Sequence, residues 1–264
     1  MSTPGLVATD LDGTLVHADG SVTDRTRAVL AALEERGVPV VFVTARPLRW
    51  MDELWPMVGG HGLAIVSNGA IVVDVAARAV RELRGIGRED GLALARAIYS
   101  GVPGAAIAIE TLTGIRVDPT YDDRQHPVPP GTPVGLVEEI WTDPAAKVLV
   151  RHPDMEPVRF REAVIDAVGS LAVPTWTLDG LMEISAPGVT KGSALIELAA
   201  ELGVDAADVI AFGDMPNDLP MLTWAGTSYA MANGHPEVRA AADHEAPPHD
   251  EDGVAAVLEQ VFGL

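Results

Sequence analysis

With 264 residues, of which 48% are hydrophobic and 21% charged, the chain is long enough for one large or two smaller globular domains. Its formal net charge of −20 argues against binding to nucleic acid or an anionic membrane, and the lack of cysteine excludes disulfides, thiolate zinc sites and a cysteine nucleophile. No apolar stretch reaches membrane-spanning length and no signal-peptide pattern opens the sequence, so we expect a cytoplasmic protein.

Strand and helix patterns alternate over the first third of the chain. Continuous apolar runs predict buried strands at Leu6–Ala8, Val38–Val43 and Leu63–Val66. Helical spacing of apolar residues predicts a helix over Asp24–Arg36, and a second helix is predicted after Arg46, up to about Val58. This alternation indicates a parallel α/β sheet.

From about Arg81 the pattern changes, because the predicted strands arrive in pairs. The predicted elements of this stretch are helices at Glu89–Tyr99 and Val158–Val168 and strands at Ala106–Glu110, Ile115–Val117, Lys147–Arg151, Val173–Leu178 and Leu181–Ser185. Paired strands indicate an α+β module with antiparallel pairing.

The α/β alternation resumes with a helix from Lys191 to about Leu202 and strands at Val209–Phe212 and Thr227–Met231. We therefore predict a core formed by residues 1–81 and 187–264, interrupted by an inserted domain over residues 82–186.

Two aspartates follow the first predicted strand. If the strand continued, Asp10 and Asp12 would point to the same side, because side chains alternate with period two. Open α/β sheets bind ligands beyond the carboxyl ends of their strands, so two like charges would share one small site. Such a pair needs a cation or a proton. A divalent metal, with one carboxylate as nucleophile and the other as acid/base, meets this need; a simple Asx-type turn is the alternative.

More polar residues occupy comparable places in the predicted fold. Thr44 follows the second strand, Asp214 and Asp218 follow a late strand, and Lys191 opens a helix. Phosphoryl transfer uses such a set: a nucleophile, a metal, a cation and hydrogen-bond donors for phosphate oxygens. A lysine in a first helical turn opposes the helix dipole at a cost of about 0.3–1 kcal/mol, which pairing with a carboxylate and a phosphate would explain.

Each of these residues also has a simpler interpretation. Lys191 could be an exposed surface lysine, Thr44 a helix N-cap, and Asp214 with Asp218 an acidic turn. Asn68 with the following glycine is typical of a left-handed turn. The conjunction of these residues, rather than any one of them, favours catalysis.

The ordered motifs resemble those of the haloacid dehalogenase (HAD) superfamily over essentially the whole chain. The matching residues are Asp10-Leu11-Asp12-Gly13-Thr14, Thr44, Lys191 and Gly213-Asp214-Met215-Pro216-Asn217-Asp218. Ser67-Asn68-Gly69-Ala70, the insertion and Asp252-Gly253-Val254 resemble the Cof-like branch with a type IIB α/β cap. The resemblance implies a Rossmann-like parallel sheet core with helices on both faces, plus an inserted α+β cap domain.

The resemblance also implies a role for each matching residue. Asp10 would attack phosphorus and form an aspartyl-phosphate, while Asp12 would protonate the leaving alcohol and then activate water. Mg²⁺ would bind Asp10, the backbone carbonyl of Asp12 and Asp214, and Asp218 would orient the metal's ligands. Lys191 would neutralise negative charge.

Thr44, the Ala45 amide, Lys191 and Asn217 would contact the phosphate in the same scheme. Many Cof-like relatives have Thr-Gly-Arg where this sequence has Thr-Ala-Arg. The backbone at Ala45 must therefore approach the phosphate with a φ that suits alanine.

The insertion would act as a lid that closes over the crevice and excludes water. Its polar residues would choose the leaving group, and the candidates are Glu183, Arg116 and the acidic loop Asp122-Asp123-Arg124. Each of them also has the simpler interpretation of an ordinary surface group.

The leading hypothesis is a Mg²⁺-dependent phosphomonoesterase acting on small phosphorylated metabolites, such as sugar phosphates. A phosphomutase would transfer phosphate rather than release it, and a dehalogenase would not need the acid/base function of Asp12. A non-catalytic sensor of phosphorylated ligands would need a broken site, whereas every catalytic position is filled. Monomer and dimer both stay open.

Overall fold

The computed structural model describes residues 4–56, 62–123 and 126–264. Its strands are β1 (Leu6–Thr9), β2 (Val40–Val43), β3 (Leu63–Val66), β4 (Ile71–Asp74), β5 (Ala79–Leu83), β6 (Ala106–Thr111), β7 (Gly114–Val117), β8 (Lys147–Arg151), β9 (Val173–Thr175), β10 (Leu181–Ser185), β11 (Val209–Gly213), β12 (Thr227–Met231) and β13 (His244–Ala246). Its helices are α1 (Asp24–Glu35), α2 (Arg88–Gly101), α3 (Val137–Ile140), α4 (Pro157–Val168), α5 (Lys191–Leu202), α6 (Leu219–Leu222), α7 (Pro236–Ala241) and α8 (Gly253–Phe262). None of these helices combines the length and apolar character needed to cross a bilayer.

The larger sheet has the strand order β13-β12-β11-β1-β2-β3-β4-β5. Neighbouring strands from β13 to β3 are parallel, which confirms the predicted parallel α/β sheet, whereas β3 and β4 are antiparallel. Strand β1 lies between β11 and β2. The residues that follow these three strands therefore lie along one edge of the sheet, where ligand sites of such folds form.

Helices α5, α6 and α7 contribute to the apolar core on one side of this sheet. Leu6 and Ala8 of β1 and Val41 of β2 belong to the same buried cluster as Leu195 and Leu198 of α5. Full burial of one leucine side chain is worth about 1.5–3 kcal/mol, so these contacts hold α5 firmly against the sheet. They thereby fix the first turn of α5, which carries Lys191.

Two compact units make up the chain. The core unit comprises Met1–Glu82 with Thr190–Leu264, and the inserted unit comprises Leu83–Val189. The inserted unit contains a sheet of order β7-β6-β8-β10-β9 whose paired strands are antiparallel, as their arrival in pairs predicted.

The helix predicted after Arg46 is wrong over its described part. Leu48–Trp50 forms a short 3-10 turn, in which Trp50 N donates to Pro47 O at 3.0 Å. Pro56 lacks the N–H donor that a helix continuing past it would use, whereas a proline such as Pro47 is tolerated in a first turn. The predicted end at Val58 lies outside the described residues.

The connection between β3 and β4 turns through successive left-handed residues, Ser67, Asn68 and Gly69, with φ of 53°, 58° and 106°. We call Ser67–Gly69 the 67–69 loop. A Cβ added at Gly69 would lie 2.2 Å from Thr190 O, the carbonyl just before α5. Only glycine allows this approach, so the loop and the start of α5 are packed backbone to backbone.

Gly69→Ala should destabilise the protein strongly, because the new methyl group meets both a left-handed backbone and the Thr190 carbonyl. We expect the free energy of unfolding to fall by roughly 3 kcal/mol or more in urea titrations. Gly20→Ala is the matched control, since Gly20 has φ of 83° but nothing within 4 Å of an added Cβ. It should cost only about 1–2 kcal/mol, and equal losses in the two variants would contradict the packing described.

Candidate active site

A buried lysine joins two aspartates at the edge of the larger sheet. Lys191 Nζ donates to Asp10 Oδ1 at 2.7 Å and to Asp218 Oδ1 at 2.6 Å. The three residues are only 2%, 4% and 0% exposed, respectively, which excludes the surface-lysine interpretation. Asp10 directly follows β1, and Asp218 ends the turn after β11, the parallel neighbour of β1.

Asp214 completes a group of carboxylates around this lysine. One oxygen from each of Asp10, Asp214 and Asp218 lies within 4.8 Å of the others. Asp218 also organises the turn, because its Oδ2 accepts the N–H groups of Asp214 and Met215, each at 3.0 Å. Buried carboxylate oxygens at this spacing suit a hard divalent cation, so the residues present fit a metal of the Mg²⁺ type.

The pKa values of the site reflect crowded negative charge. Burial raises the pKa of Asp10 well above its ordinary value, and the charges of Asp218 and Asp214 add to this although Lys191 opposes it. Burial and then Asp218 raise the pKa of Asp214 to about 7, against the opposing effect of Lys191. For Lys191, burial lowers the pKa, but Asp10 and Asp218 outweigh it and raise the pKa above the ordinary value. One lysine thus leaves carboxylate charge that a bound cation would neutralise.

Asp12 lies elsewhere than expected. Strand β1 ends at Thr9, and Gly13, with φ of 75°, turns the chain back, so the expectation that Asp10 and Asp12 project from one strand is wrong. The Asp12 side chain is 57% exposed and forms a bidentate pair with Arg46, with Nε–Oδ2 at 2.8 Å and Nη2–Oδ1 at 2.6 Å. Its carboxylate is therefore held by Arg46 and is absent from the described group of candidate metal ligands.

The predicted phosphate ligands come from two neighbouring turns. Thr44 is fully buried just after β2, and its Oγ1 accepts the Arg46 N–H at 3.0 Å, a short-range turn contact rather than a cap of a regular helix. Ala45 does not have a positive φ, so its methyl group is compatible with the backbone where many relatives have glycine. Asn217 is 5% exposed and donates through Nδ2 to Asn68 Oδ1 at 3.0 Å.

The sequence of the chain matches a known protein family. A family model described as haloacid dehalogenase-like hydrolase matches residues 7–258. The chain belongs to this family. Among curated relatives, the phosphoglycolate phosphatase of Methanothermobacter thermautotrophicus is 26% identical over 257 residues, covering 97% of this chain and 98% of that protein.

Solved structures of other proteins have the same fold. SMU.1108c from Streptococcus mutans UA159 superposes with a TM-score of 0.87 at 26% identity, covering 99% of this chain and 100% of that chain. The HAD subclass IIB sugar phosphatase BT4131 superposes with a TM-score of 0.79 at 22% identity, covering 98% of each chain, a likeness that concerns the fold alone. The predicted superfamily, the fold with its inserted α+β cap, and the assignment to phosphatases are confirmed at this level.

Sequence reasoning missed several residues of this HAD site. Asn233 Nδ2 donates to Gly13 O at 2.8 Å, and His249 Nδ1 donates to Val16 O at 2.9 Å. Asp250 Oδ1 accepts the Ala18 N–H at 2.9 Å.

Asp252 completes this set of contacts. Its Oδ1 accepts from Thr23 Oγ1 at 2.7 Å and His17 Nε2 at 2.9 Å. We call Asn233, His249, Asp250 and Asp252 the tail clasp, because they hold the segment that follows the Asp10–Asp12 motif. Only Asp252 carried a signal in the sequence, as part of the Asp-Gly-Val resemblance to the Cof-like branch.

The candidates in the cap have different environments. Glu183 is 3% exposed and pairs with the equally buried Lys147, so it is not an ordinary surface group. Arg116 pairs with Asp143, and Asp123 pairs with Arg151 at 2.8 Å.

Asp122 lines a cap cavity of about 280 Å³ together with Arg151 and His152. Arg124 lies outside the described residues.

Asp214→Asn should weaken the pH dependence of stability in the metal-free protein. A carboxyl pKa raised to about 7 means that the folded state keeps a proton that the unfolded chain loses near pH 4, so stability falls as pH rises towards and through 7. The side-chain amide of the variant cannot ionise, so this contribution to the pH dependence of stability is lost. Thermal midpoints in EDTA at about pH 6 and 8 should differ less for the variant than for the wild type, and an unchanged difference would contradict the assignment of this titration to Asp214.

Lys191→Met should destabilise the protein at neutral pH, because it leaves Asp10 and Asp218 buried without their cation. We expect a loss of about 3–5 kcal/mol in the free energy of unfolding, measured by urea denaturation. Adding Asp218→Asn should recover part of the loss by removing one unpaired charge. Additive losses in the double variant would show that the pairing contributes little.

Proposed function

We propose that the protein is a Mg²⁺-dependent phosphomonoesterase that hydrolyses small phosphorylated metabolites, such as sugar phosphates, through an aspartyl-phosphate on Asp10. The observation that carries the proposal is the buried Lys191 between Asp10 and Asp218, with Asp214 within the same carboxylate group. A strongly acidic chain repels phosphate esters at long range. The site therefore needs local positive charge, from Lys191 and the proposed metal ion, to bind them.

The proposed metal ligands are Asp10, the backbone carbonyl of Asp12 and Asp214, and Asp218 orients them through its bonds to the turn and to Lys191. When bound, Mg²⁺ would neutralise the carboxylates and stabilise charge on the phosphoryl oxygens. Its presence would also keep Asp10 ionised, as a nucleophile must be.

Asp10 is the proposed nucleophile in the first step. Lys191 holds Oδ1, and Oδ2 attacks phosphorus while the bond from phosphorus to the leaving oxygen breaks. Asp12 gives a proton to that oxygen, so the alcohol leaves neutral. Asp12 must leave its pair with Arg46 to do so.

The second step regenerates Asp10. Asp12 takes a proton from a water molecule, the water oxygen attacks phosphorus, and the bond from phosphorus to Asp10 breaks to release inorganic phosphate. In both steps the phosphate oxygens are held by Thr44, the Ala45 N–H, Lys191 and Asn217. The Thr44 hydroxyl uses a lone pair for Arg46 N–H, so its own proton is left to donate to phosphate.

The inserted domain, predicted over residues 82–186, is the proposed specificity domain. Its buried Lys147–Glu183 pair and Arg116 are charged groups suited to hydrogen-bonding a polyhydroxylated leaving group. Small phosphorylated metabolites rather than polymers are the proposed substrates.

Asp10→Asn tests the proposal directly. The wild type should release phosphate from an aryl phosphate in the presence of Mg²⁺, and the variant should be slower by at least about 10³-fold, because the amide is not a nucleophile. Asp166→Asn, an exposed change on α4, is the matched control and should keep wild-type rates. Phosphate release by Asp10→Asn at the control's rate would refute the assignment.

A panel of sugar phosphates and other phosphorylated metabolites then identifies the substrate. Release of inorganic phosphate with loss of the ester supports a phosphatase. Phosphate that stays on an isomerised sugar would identify a phosphomutase instead.

A further inference from the structure

The 67–69 loop is buried and conformationally unusual. Ser67 and Asn68 are 0% and 1% exposed, and both have a positive φ although neither is glycine. Left-handed non-glycine residues cost about 1–3 kcal/mol each and persist where the surroundings hold them. A type I′ hairpin turn also contains two residues with a positive φ in succession, so the contacts of this loop, rather than its φ values, set it apart from a simple turn.

This loop contacts two segments of the active site through its backbone. Ser67 N donates to Arg46 O at 3.0 Å, and Asn68 N donates to Thr44 O at 3.1 Å. On its other side, Gly69 lies against the Thr190 carbonyl at the start of α5. The loop is therefore tied both to the turn after β2 and to the helix that carries Lys191.

A side-chain bond ties it to a third segment. Asn68 Oδ1 accepts from Asn217 Nδ2 at 3.0 Å, and Asn217 is itself 5% exposed. An amide nitrogen carries two protons, and this bond uses one of them. Among the described residues, the second proton has no acceptor, and Asn217 Oδ1 has no hydrogen-bond partner. Buried amides seldom keep such unused capacity, so the Asn217 amide is oriented for a ligand.

We propose that Asn68 is a positioning residue of the phosphate site, which orients the Asn217 amide so that its second N–H donates to a phosphate oxygen. The inference rests on the proposed function, since it takes Asn217 as a phosphate ligand. Asparagine suits position 68 for two reasons. It tolerates a left-handed backbone, and its side-chain carbonyl accepts the hydrogen bond from Asn217. Glycine would meet the requirement for a left-handed backbone at this position equally well.

Asn68→Gly separates these two contributions. Glycine keeps the left-handed backbone and removes the amide that orients Asn217. The matched control is Arg78→Gly, because Arg78 is an exposed residue with φ of 49° in the turn between β4 and β5. Arg78→Gly shows how far the removal of a left-handed side chain alone changes the thermal unfolding midpoint, and Asn68→Gly should unfold at a lower temperature because it also loses the buried bond to Asn217.

The main measurement is calorimetric titration with inorganic phosphate in the presence of Mg²⁺. Asn68→Gly should bind phosphate about tenfold more weakly than the wild type, the size expected for one hydrogen bond to a charged group. KM for an aryl phosphate should rise by a similar factor while kcat changes little, because the bond is present in ground and transition states alike. Arg78→Gly should leave both quantities unchanged.

A double variant tests whether Asn68 acts through Asn217. Asn68→Gly combined with Asn217→Ala should bind phosphate no more weakly than Asn217→Ala alone. Independent, multiplicative losses would overturn the inference, as would wild-type phosphate affinity in Asn68→Gly. If the wild type neither binds phosphate nor hydrolyses the aryl ester, the proposed function fails; if it does both and the cycle is additive, only the role of Asn68 fails.

Discussion

The position of one ammonium group between Asp10 and Asp218 is the constraint on which the rest of the site depends. Burying several carboxylates costs free energy of desolvation unless each charge is paired. A single lysine compensates only part of this negative charge. A divalent cation would neutralise the carboxylate charge that the lysine leaves uncompensated. The same imbalance makes the metal-free site energetically unfavourable and is the reason why we propose that the site binds a metal and, through the metal, a phosphate.

The topology of the sheet explains how residues far apart in sequence meet around this group. Strands β11, β1 and β2 are consecutive neighbours, so the turns that follow them lie side by side, and α5 adds Lys191 because its apolar face packs on the same strands. Asp218 then links turn and helix, since one of its oxygens accepts backbone N–H groups and the other accepts Lys191. The packing of the core thus determines the geometry of the proposed catalytic site.

Much of this could be predicted from residue patterns, because buried strands and strand-end carboxylates have clear signatures. The alternation of apolar runs gave the parallel sheet, and Lys191 was conspicuous in a first helical turn. The place of Asp12 could not be predicted, since it depends on where β1 ends and on a pair with Arg46 that has no local signal. The pair of Asn68 and Asn217 is likewise a contact between distant segments, and a left-handed asparagine looks the same in sequence whether or not it touches a site.

The tail clasp has a consequence for the order in which the protein matures. The segment after the Asp10–Asp12 motif leaves the ribosome before Asn233, His249 and Asp252, yet its carbonyls and side chains form hydrogen bonds with these residues. Domains form as units during synthesis, from the N-terminus onwards. This segment therefore makes these hydrogen bonds only after residues near 250 have emerged from the ribosome.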